Sequence, residues 1–495
     1  MAQPKESMRY DVVIIGSGFG GLACGSMLSQ AGKHVLVLER QAQAGGSIQS
    51  YHRGHWWFDT GLHYVGGLAE GQKLRQVFDH LGLSYLPWHR LDAEGFDRVT
   101  IAGDTFPLAE GYDRFVDTLA TFFPKERQGL KQYTDMLRHV DDIYYCSVEA
   151  LTIAGVNAYD YLTTTFHDPL LVNVLSGSAM KMELRRESLP LFTFAHGNSS
   201  YIQSSWRLRG HGNMIVKVLT DNIRSNGGEV ICHAEVEELV EKEGKIVAAR
   251  CSNGDTYEGE LFISDIHPTV TLDLVKESQV LRKAFRLRME HLENTFGMFT
   301  VSLVLKPAAL PYFNHNKYIY PKANVWTFHE ESDHVGGVMV SARVPDDGNY
   351  VEQIDLLTPM PWSWCQQWEA THLGQRGDDY RMMKEHLADE CIALAETAIP
   401  GLSTMVCERF TSTSLTYRDY NSTPEGSAFG IRKDYRNPLM TMLSPRTPIA
   451  NLLLTGQNLM LHGLEGVAMT AISTCMEILG ADYLLNIIKE KNINP

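Results

Sequence analysis

No Cys-x-x-Cys pair and no metal-ligand spacing occurs among the eight cysteines, at 24, 146, 232, 251, 365, 391, 407 and 475. This excludes a zinc module or a disulfide framework, so free thiols in a reducing compartment and no metal are expected. No stretch approaches the roughly 20 consecutive apolar residues that a membrane span needs. The polar start, Met1 to Ser7, has no apolar signal-peptide core. These absences predict a cytoplasmic protein, or at most one peripheral on a membrane. Positive charge is also short: 44 Lys and Arg against 59 Asp and Glu leave a net charge of -15. With no basic stripe to offset it, a phosphate backbone would be repelled, which argues against nucleic-acid binding. Internal repeats, low-complexity tracts and long linkers are absent too.

What is present begins with a short apolar strand, Asp11 to Ile15, that runs into Gly16-Ser17-Gly18-Phe19-Gly20-Gly21. Gly16 permits the tight turn, Gly18 lets backbone approach a pyrophosphate, and Gly21 lets the next helix pack on the strand. The N-terminus of that helix offers free N–H groups and a positive dipole end to phosphate. A helical segment from Leu22 to Gln30, a stop at Gly32 and a second strand, His34 to Leu38, lead to Glu39. That carboxylate is placed to take the hydroxyls of an adenosine ribose and to repel a 2′-phosphate. Arg40 and the close glycines Gly45 and Gly46, followed by Ser47, suggest a second approach of backbone to a bulky ligand. Near the C-terminus another apolar strand, Leu452 to Leu454, ends in Thr455-Gly456-Gln457. It is followed by His462 to Ala468 opening an apolar helix. A nicotinamide domain needs no such second glycine turn, whereas a flavin with its ribityl chain and three rings does.

Between these ends the pattern is helical from Tyr112 to Ala150, with Leu130, Tyr133, Met136, Leu137, Val140, Ile143 and Tyr144 at three- and four-residue spacings. Pro124 suits a first helical turn. Another helix, Met214 to Arg224, gives way to strand rhythm over Glu229 to His233, Val236 to Val240 and Lys245 to Cys251. The dipeptide Asn253-Gly254 marks a hairpin, and Leu261 to Ser264 a return strand. The tryptophans at 362, 364 and 368 form either a membrane-facing or substrate-facing patch, or ordinary core.

The chain resembles the flavoprotein family of phytoene desaturases, carotenoid isomerases and all-trans-retinol 13,14-reductases (retinol saturases), leaning to the last. The resemblance is carried by the Gly16 to Gly21 loop, Glu39 to Ser47, Phe58 to Tyr64, Arg209 to Met214, Ser422 to Ser427 and Thr455 to Ala468. It implies an α/β fold with a Rossmann-like FAD-binding domain of the glutathione-reductase-2 type (GR2), interleaved with an α+β substrate domain. The FAD domain is then drawn from residues 1–80, 206–270 and 416–495. The substrate domain takes 81–205, mainly helical, and 271–415, mixed. FAD is the implied cofactor, held by Gly16, Ser17, Gly18, Phe19, Gly20, Gly21, Glu39, Arg40, Gly45, Gly46, Ser47, Thr60, Gly61, Leu62, His63, Val236, Gly456, Gln457, Gly466, Val467 and Ala468. Val236 would meet the adenine through its backbone.

The implied substrate is an apolar conjugated molecule whose double bond is saturated, with desaturation or cis-trans isomerisation as alternatives. It has little to hydrogen-bond, so methionine and aromatic lining is expected. His63, His462 and Glu465 are candidate proton donors, although hydrogen bonding to backbone or flavin carbonyls is the preferred role for the two histidines. Absence of a second strand-coupled Gly-x-Gly-x-x-Gly leaves electrons to an external donor or acceptor: a protein, quinone, thiol carrier or transient nicotinamide. A flavin amine oxidase is the nearest rival enzyme, and a prenyl-protein binder of the GDP-dissociation-inhibitor type is the rival outside catalysis.

Overall fold

The computed structural model describes residues 9–143, 147–330, 334–346 and 348–482. Its first sheet is built from three distant parts of the chain. The strands Glu229–Ile231, Val35–Leu38, Arg9–Ile15 and Thr256–Ser264 lie side by side in parallel, and the hairpin Val236–Lys242 with Lys245–Cys251 extends the sheet. Thr256–Ser264 is long enough to serve two partners on the side away from Arg9–Ile15. Its first half pairs antiparallel with the hairpin, and its last three residues pair parallel with Leu452–Leu454. Val35–Leu38 and Leu452–Leu454 are buried along their whole length, as strands covered on both faces must be. One face is covered by the helix Phe19–Gln30, which packs against the helices Asn213–Ser225 and Gly463–Leu479. The approach is close: a Cβ on Gly25 would lie 2.8 Å from Ile223 Cδ1.

Register aligns the strand ends. Ile15 stands opposite both Leu38 and Ser264, and Ser264 stands opposite Leu454. Consequently Gly16, Glu39, Asp265 and the Thr455-Gly456 turn all emerge at one carboxyl edge, where open parallel sheets bind their ligands.

A second sheet runs in the order Val406–Ser412, Gly297–Leu305, Gln353–Met360, Val338–Ala342, Asn316–Tyr320, Asp97–Ile101 and Asp104–Leu108. Its pairs are antiparallel except for Asn316–Tyr320 with Asp97–Ile101. Helices from residues 112 to 203 accompany it, but the predicted single helical run is two: Tyr112–Phe122 and Arg127–Asp142, joined by a tight turn opening at Pro124. Proline fits the first turn and cannot continue the preceding helix. Tyr144, counted in the predicted run, lies outside the described residues. The tryptophan stretch forms two short turns in which Cys365 and Trp368 are buried and Trp362 packs against the second-sheet core. It is absent from the cavity wall described below. The described cysteines are free. Among the described residues no helix is long and apolar enough to cross a membrane.

Candidate active site

At the carboxyl edge of the first sheet opens a cavity of about 460 Å³ that reaches across to the second sheet. The glycine loop forms part of its wall. Gly16 has φ +92°, and the helix starting at Phe19 has no side-chain cap from Gly18; the Asp265 carboxyl takes the Gly18 and Gly21 N–H groups at this N-terminus, which borders the cavity. Two glycine turns meet here, because a Cβ on Gly20 would lie 3.0 Å from the backbone of Gly456, and one on Gly46 would lie 3.0 Å from Gly18 Cα. Side chains at these positions would fill the cradle. Glu39 is held in place: its carboxylate accepts the Ser17 N–H at 3.2 Å, the Ser17 hydroxyl at 2.5 Å and the Gln41 N–H at 2.8 Å. A carboxylate has about four lone-pair sites, so capacity remains for a ribose hydroxyl.

The motif Phe58-Asp59-Thr60-Gly61 is tied to the motif Arg209 to Met214 by one buried acid. Asp59 accepts the Gly212 N–H at 2.8 Å and the Ser50 hydroxyl at 2.6 Å, and pairs with Arg343 at 2.6 Å. Asn213 Oδ1 accepts the Ser50 N–H, and Thr60 donates to the Ser47 carbonyl. Gly212 is obligatory there, since a Cβ would sit 2.1 Å from the Ile48 carbonyl oxygen. The Ser422 to Ser427 segment joins the same clamp through the adjoining Asn421, which donates to Ser47. These motifs shape the loop from 43 to 50 that borders the cavity.

Of the predicted cofactor residues, Gly16, Ser17, Gly18, Phe19, Gly20, Glu39, Arg40, Gly46, Ser47, Thr60, Gly61, Leu62, His63, Val236, Gly456, Gln457, Gly466 and Val467 line this one cavity, and the structure brings them together. Gly21, Gly45 and Ala468 do not reach its wall. A Cβ on Gly21 would lie 2.3 Å from the Gly16 carbonyl, so this glycine serves helix-on-strand packing. Gly45, at φ +129°, packs beside Val216, and Ala468 is buried inside the last helix.

The candidate acids line the cavity too. His63 Nδ1 faces Asp355 Oδ2 at 3.6 Å, while its Nε2 is buried without a protein partner, an orphan that a ligand would satisfy. Burial pushes Asp355 up, but His63, Arg343 and Ser302 outweigh it and hold the carboxyl below its usual range. His462 Nε2 donates to the Lys181 carbonyl at 2.9 Å, and burial lowers the imidazole to about 4, so the ring is neutral. Glu465, in the first turn of the last helix, clusters with Asp141 and His196.

Sequence reasoning missed three charged wall residues: Glu235, at the start of the hairpin, Asp265 and Lys181. Asp265 directly follows Ser264, and the rule that strand ends face ligands would have found it. Burial, with Glu39 adding to it and the Gly18 and Gly21 N–H groups opposing, pushes its carboxyl up to about 7. Lys181, between Met180 and Met182, carries no motif. Its Nζ lies 4.2 Å from the Tyr201 ring centroid and 5.9 Å from that of Tyr64. Met180, Met298, Met339, Leu357 and Phe429 line the same cavity, with Thr193, His196 and Ser200 among its polar groups.

Fold and cavity together define a Rossmann-like dinucleotide-binding architecture, and the residues present fit FAD. Residues 14–81 match the NAD(P)-binding Rossmann-like domain family. The chain is 25% identical to the all-trans-retinol 13,14-reductase of Macaca fascicularis, over 95% of this chain and 86% of that protein. It is 24% identical to prolycopene isomerase 2 of an Oncidium hybrid cultivar, over 92% of this chain and 81% of that one. Among solved structures, putrescine oxidase with bound putrescine superposes with a TM-score of 0.67 at 15% identity, covering 96% of this chain and all of the other. The resemblance to retinol saturases and carotenoid isomerases therefore extends over nearly the whole chain, and the fold is shared more widely.

Proposed function

We propose that this protein uses FAD to saturate one carbon-carbon double bond of an apolar conjugated substrate of the retinoid or carotenoid kind. The observation that carries the reading is a single cavity in which a dinucleotide cradle (the Gly16 to Gly20 loop, Glu39 and Gly456) runs into a methionine- and aromatic-rich wall. Such a wall suits a polyene, which offers almost nothing to hydrogen-bond. When bound, FAD supplies hydride chemistry. The chain's own residues bind and orient: Glu39 holds the ribose, the glycine loops admit the pyrophosphate, and His63 Nε2 supplies a hydrogen-bonding group to the ligand. The N-terminus of the helix Gly463–Leu479 faces the cavity with Gly463 to Val467 and favours negative charge there. In this reading residues 1–80, 206–270 and 416–495 form the FAD domain, and 81–205 with 271–415 the substrate domain. Electrons come from an external donor.

An amine oxidase would present an open aromatic pair to a cationic substrate. Here Tyr64 and Tyr201 pack on each other with ring centroids 4.6 Å apart, and Lys181 occupies the Tyr201 face. A second ammonium would be repelled. Cis-trans isomerisation is the second reading, favoured by the similarity to prolycopene isomerases. The test is anaerobic incubation of photoreduced enzyme with retinoids and carotenoids, followed by mass analysis. A gain of two hydrogens is expected. Unchanged mass with altered retention assigns isomerisation, and turnover of primary amines overturns the polyene reading.

A further inference from the structure

We propose that Lys181 Nζ is the acid that delivers the proton completing double-bond saturation, a step that rests on the polyene-reductase reading above. Lys181 ends a short turn, Ala179–Lys181, and stands on the cavity wall with Met180. Its ammonium lies against the face of Tyr201 and near that of Tyr64, both wall residues. Its hydrogen bond to Ser178 Oγ is long, at 3.4 Å. The carboxylate that acts on it, Asp97, is already engaged: Asp97 accepts the Tyr64 hydroxyl at 2.9 Å and the Asn316 amide at 2.8 Å. Because Tyr64 spends its one proton on Asp97, Tyr318 must donate to Tyr64 across their 2.8 Å contact. Arg207 in turn donates to Asn316 Oδ1. This buried relay fixes Asp97 as a counter-charge at one remove without locking Lys181 into an ion pair. The His462 ring holds the Lys181 carbonyl. An ammonium that faces an aromatic wall and is not tied into a close ion pair is suited to donate a proton to a carbon of a bound polyene.

The three other candidates are less free to act. His462 is neutral and donates its Nε2 proton to a carbonyl. His63 faces Asp355. Glu465 is engaged with Asp141 and His196. The balance is simple. The substrate's π pair takes the proton from Nζ to form one C–H bond; FAD, when bound in its two-electron reduced form, would supply the hydride for the other carbon. The N–H bond breaks, leaving a neutral amine that water reprotonates for the next turnover.

The charged and titratable groups facing Lys181 are Asp97, Tyr64, Tyr201 and His462, with Tyr318 behind Tyr64 and Glu465 acting through Tyr201. Burial lowers the ammonium and Asp97 partly restores it, to about 8. An acid must be protonated to act, so reoxidation of reduced enzyme by substrate is expected to slow as pH rises through about 8.

The experiment uses the flavin-loaded protein, photoreduced, in single turnover from pH 6 to 10, with Lys181→Met, Lys181→Arg and Glu465→Gln. Loss of a general acid costs about 10²–10⁴-fold. Met and Arg variants should both lose that much and lose the inflection near 8, since a guanidinium does not release its proton, while flavin content and melting temperature stay close to wild type. An independent readout needs no turnover: trace acetylation of the protein, followed residue by residue by mass spectrometry, should show Lys181 half-reactive near pH 8 and surface lysines near 10.4. Wild-type rate and pH profile in Lys181→Met, or their loss in Glu465→Gln alone, overturns the assignment, as does a Lys181 that titrates with the surface lysines. A wild-type enzyme that no polyene reoxidises, with acetylation still placing Lys181 near 8, sinks the functional reading instead.

Discussion

Replacing Asp265 by Asn is expected to tighten flavin binding and to abolish its dependence on pH. The carboxyl stands in the middle of the cradle: Cβ atoms on Gly18, Gly20 and Gly456 would each lie 2.4 to 2.5 Å from one of its oxygens. Hydrogen bonds from the Gly18 and Gly21 N–H groups hold it at the N-terminus of the helix Phe19–Gln30. Burial pushes it up to about 7. A carboxyl raised in the folded state holds its proton more tightly than in the unfolded chain, so the associated stability is present at low pH and lost as pH climbs from about 4 through about 7. At roughly 1.4 kcal/mol per unit, the span from 3.8 to about 7 amounts to roughly 4 kcal/mol as an upper bound. A pyrophosphate brings further negative charge beside Asp265 and Glu39 and favours the protonated acid still more. FAD binding should therefore take up a proton, and affinity should fall by up to about tenfold per pH unit above 7. Asn keeps an oxygen for the loop N–H groups and presents N–H to the phosphates without the charge. Titrating apo-protein with FAD by fluorescence quenching between pH 6 and 9, beside thermal melts, measures both effects. A flat wild-type affinity, or an Asp265→Asn protein that binds FAD less tightly at pH 8, would refute the reasoning.

Glu39→Gln should lower FAD affinity by about one to two orders of magnitude, the value of one charge-assisted hydrogen bond at roughly 1.5–3 kcal/mol. Flavin retained through gel filtration reports it, and unchanged retention would remove the ribose from Glu39. Asp59→Ala leaves Arg343 and the Gly212 N–H without their partner, a loss of roughly 3–5 kcal/mol for a broken buried pair. Urea unfolding should show it, and a midpoint within error of wild type would deny the clamp. Lys433 is buried and donates to the carbonyls of Thr441, Asn458 and Leu459, at 2.9, 2.8 and 2.9 Å. Lys433→Met orphans the Thr441 and Asn458 carbonyls at roughly 1–3 kcal/mol each, while Leu459 keeps the Leu443 N–H, so a melt lowered by several degrees and a loosened Gln457 to His462 turn are expected. A melt equal to wild type would show that water replaces the ammonium.

The cradle was legible in the sequence because its physics is local. A strand, a glycine turn and a helix must be contiguous to point N–H groups at phosphate, so Gly16 to Gly21 and Glu39 declare themselves within thirty residues, and register then sets Gly456 beside Gly20. The interleaving was legible for a related reason: a sheet strand such as Leu452–Leu454 is apolar on both faces and cannot stand alone, so it must be inserted beside another. The reactive wall is of a different kind. The wall residues Tyr64, Lys181 and Tyr201, with Asp97 and Asn316 behind them, come from five separate segments, and no periodicity links them. What joins them is a buried charge balance, in which Asp97 is tolerated only because Tyr64 and Asn316 donate to it and the positive charges of Lys181 and Arg207 lie near. Such a balance exists only after folding. A lysine between two methionines reads as a surface residue in an apolar turn until the second sheet closes over it, and the cost of burying it without a close ion pair is what makes its proton available.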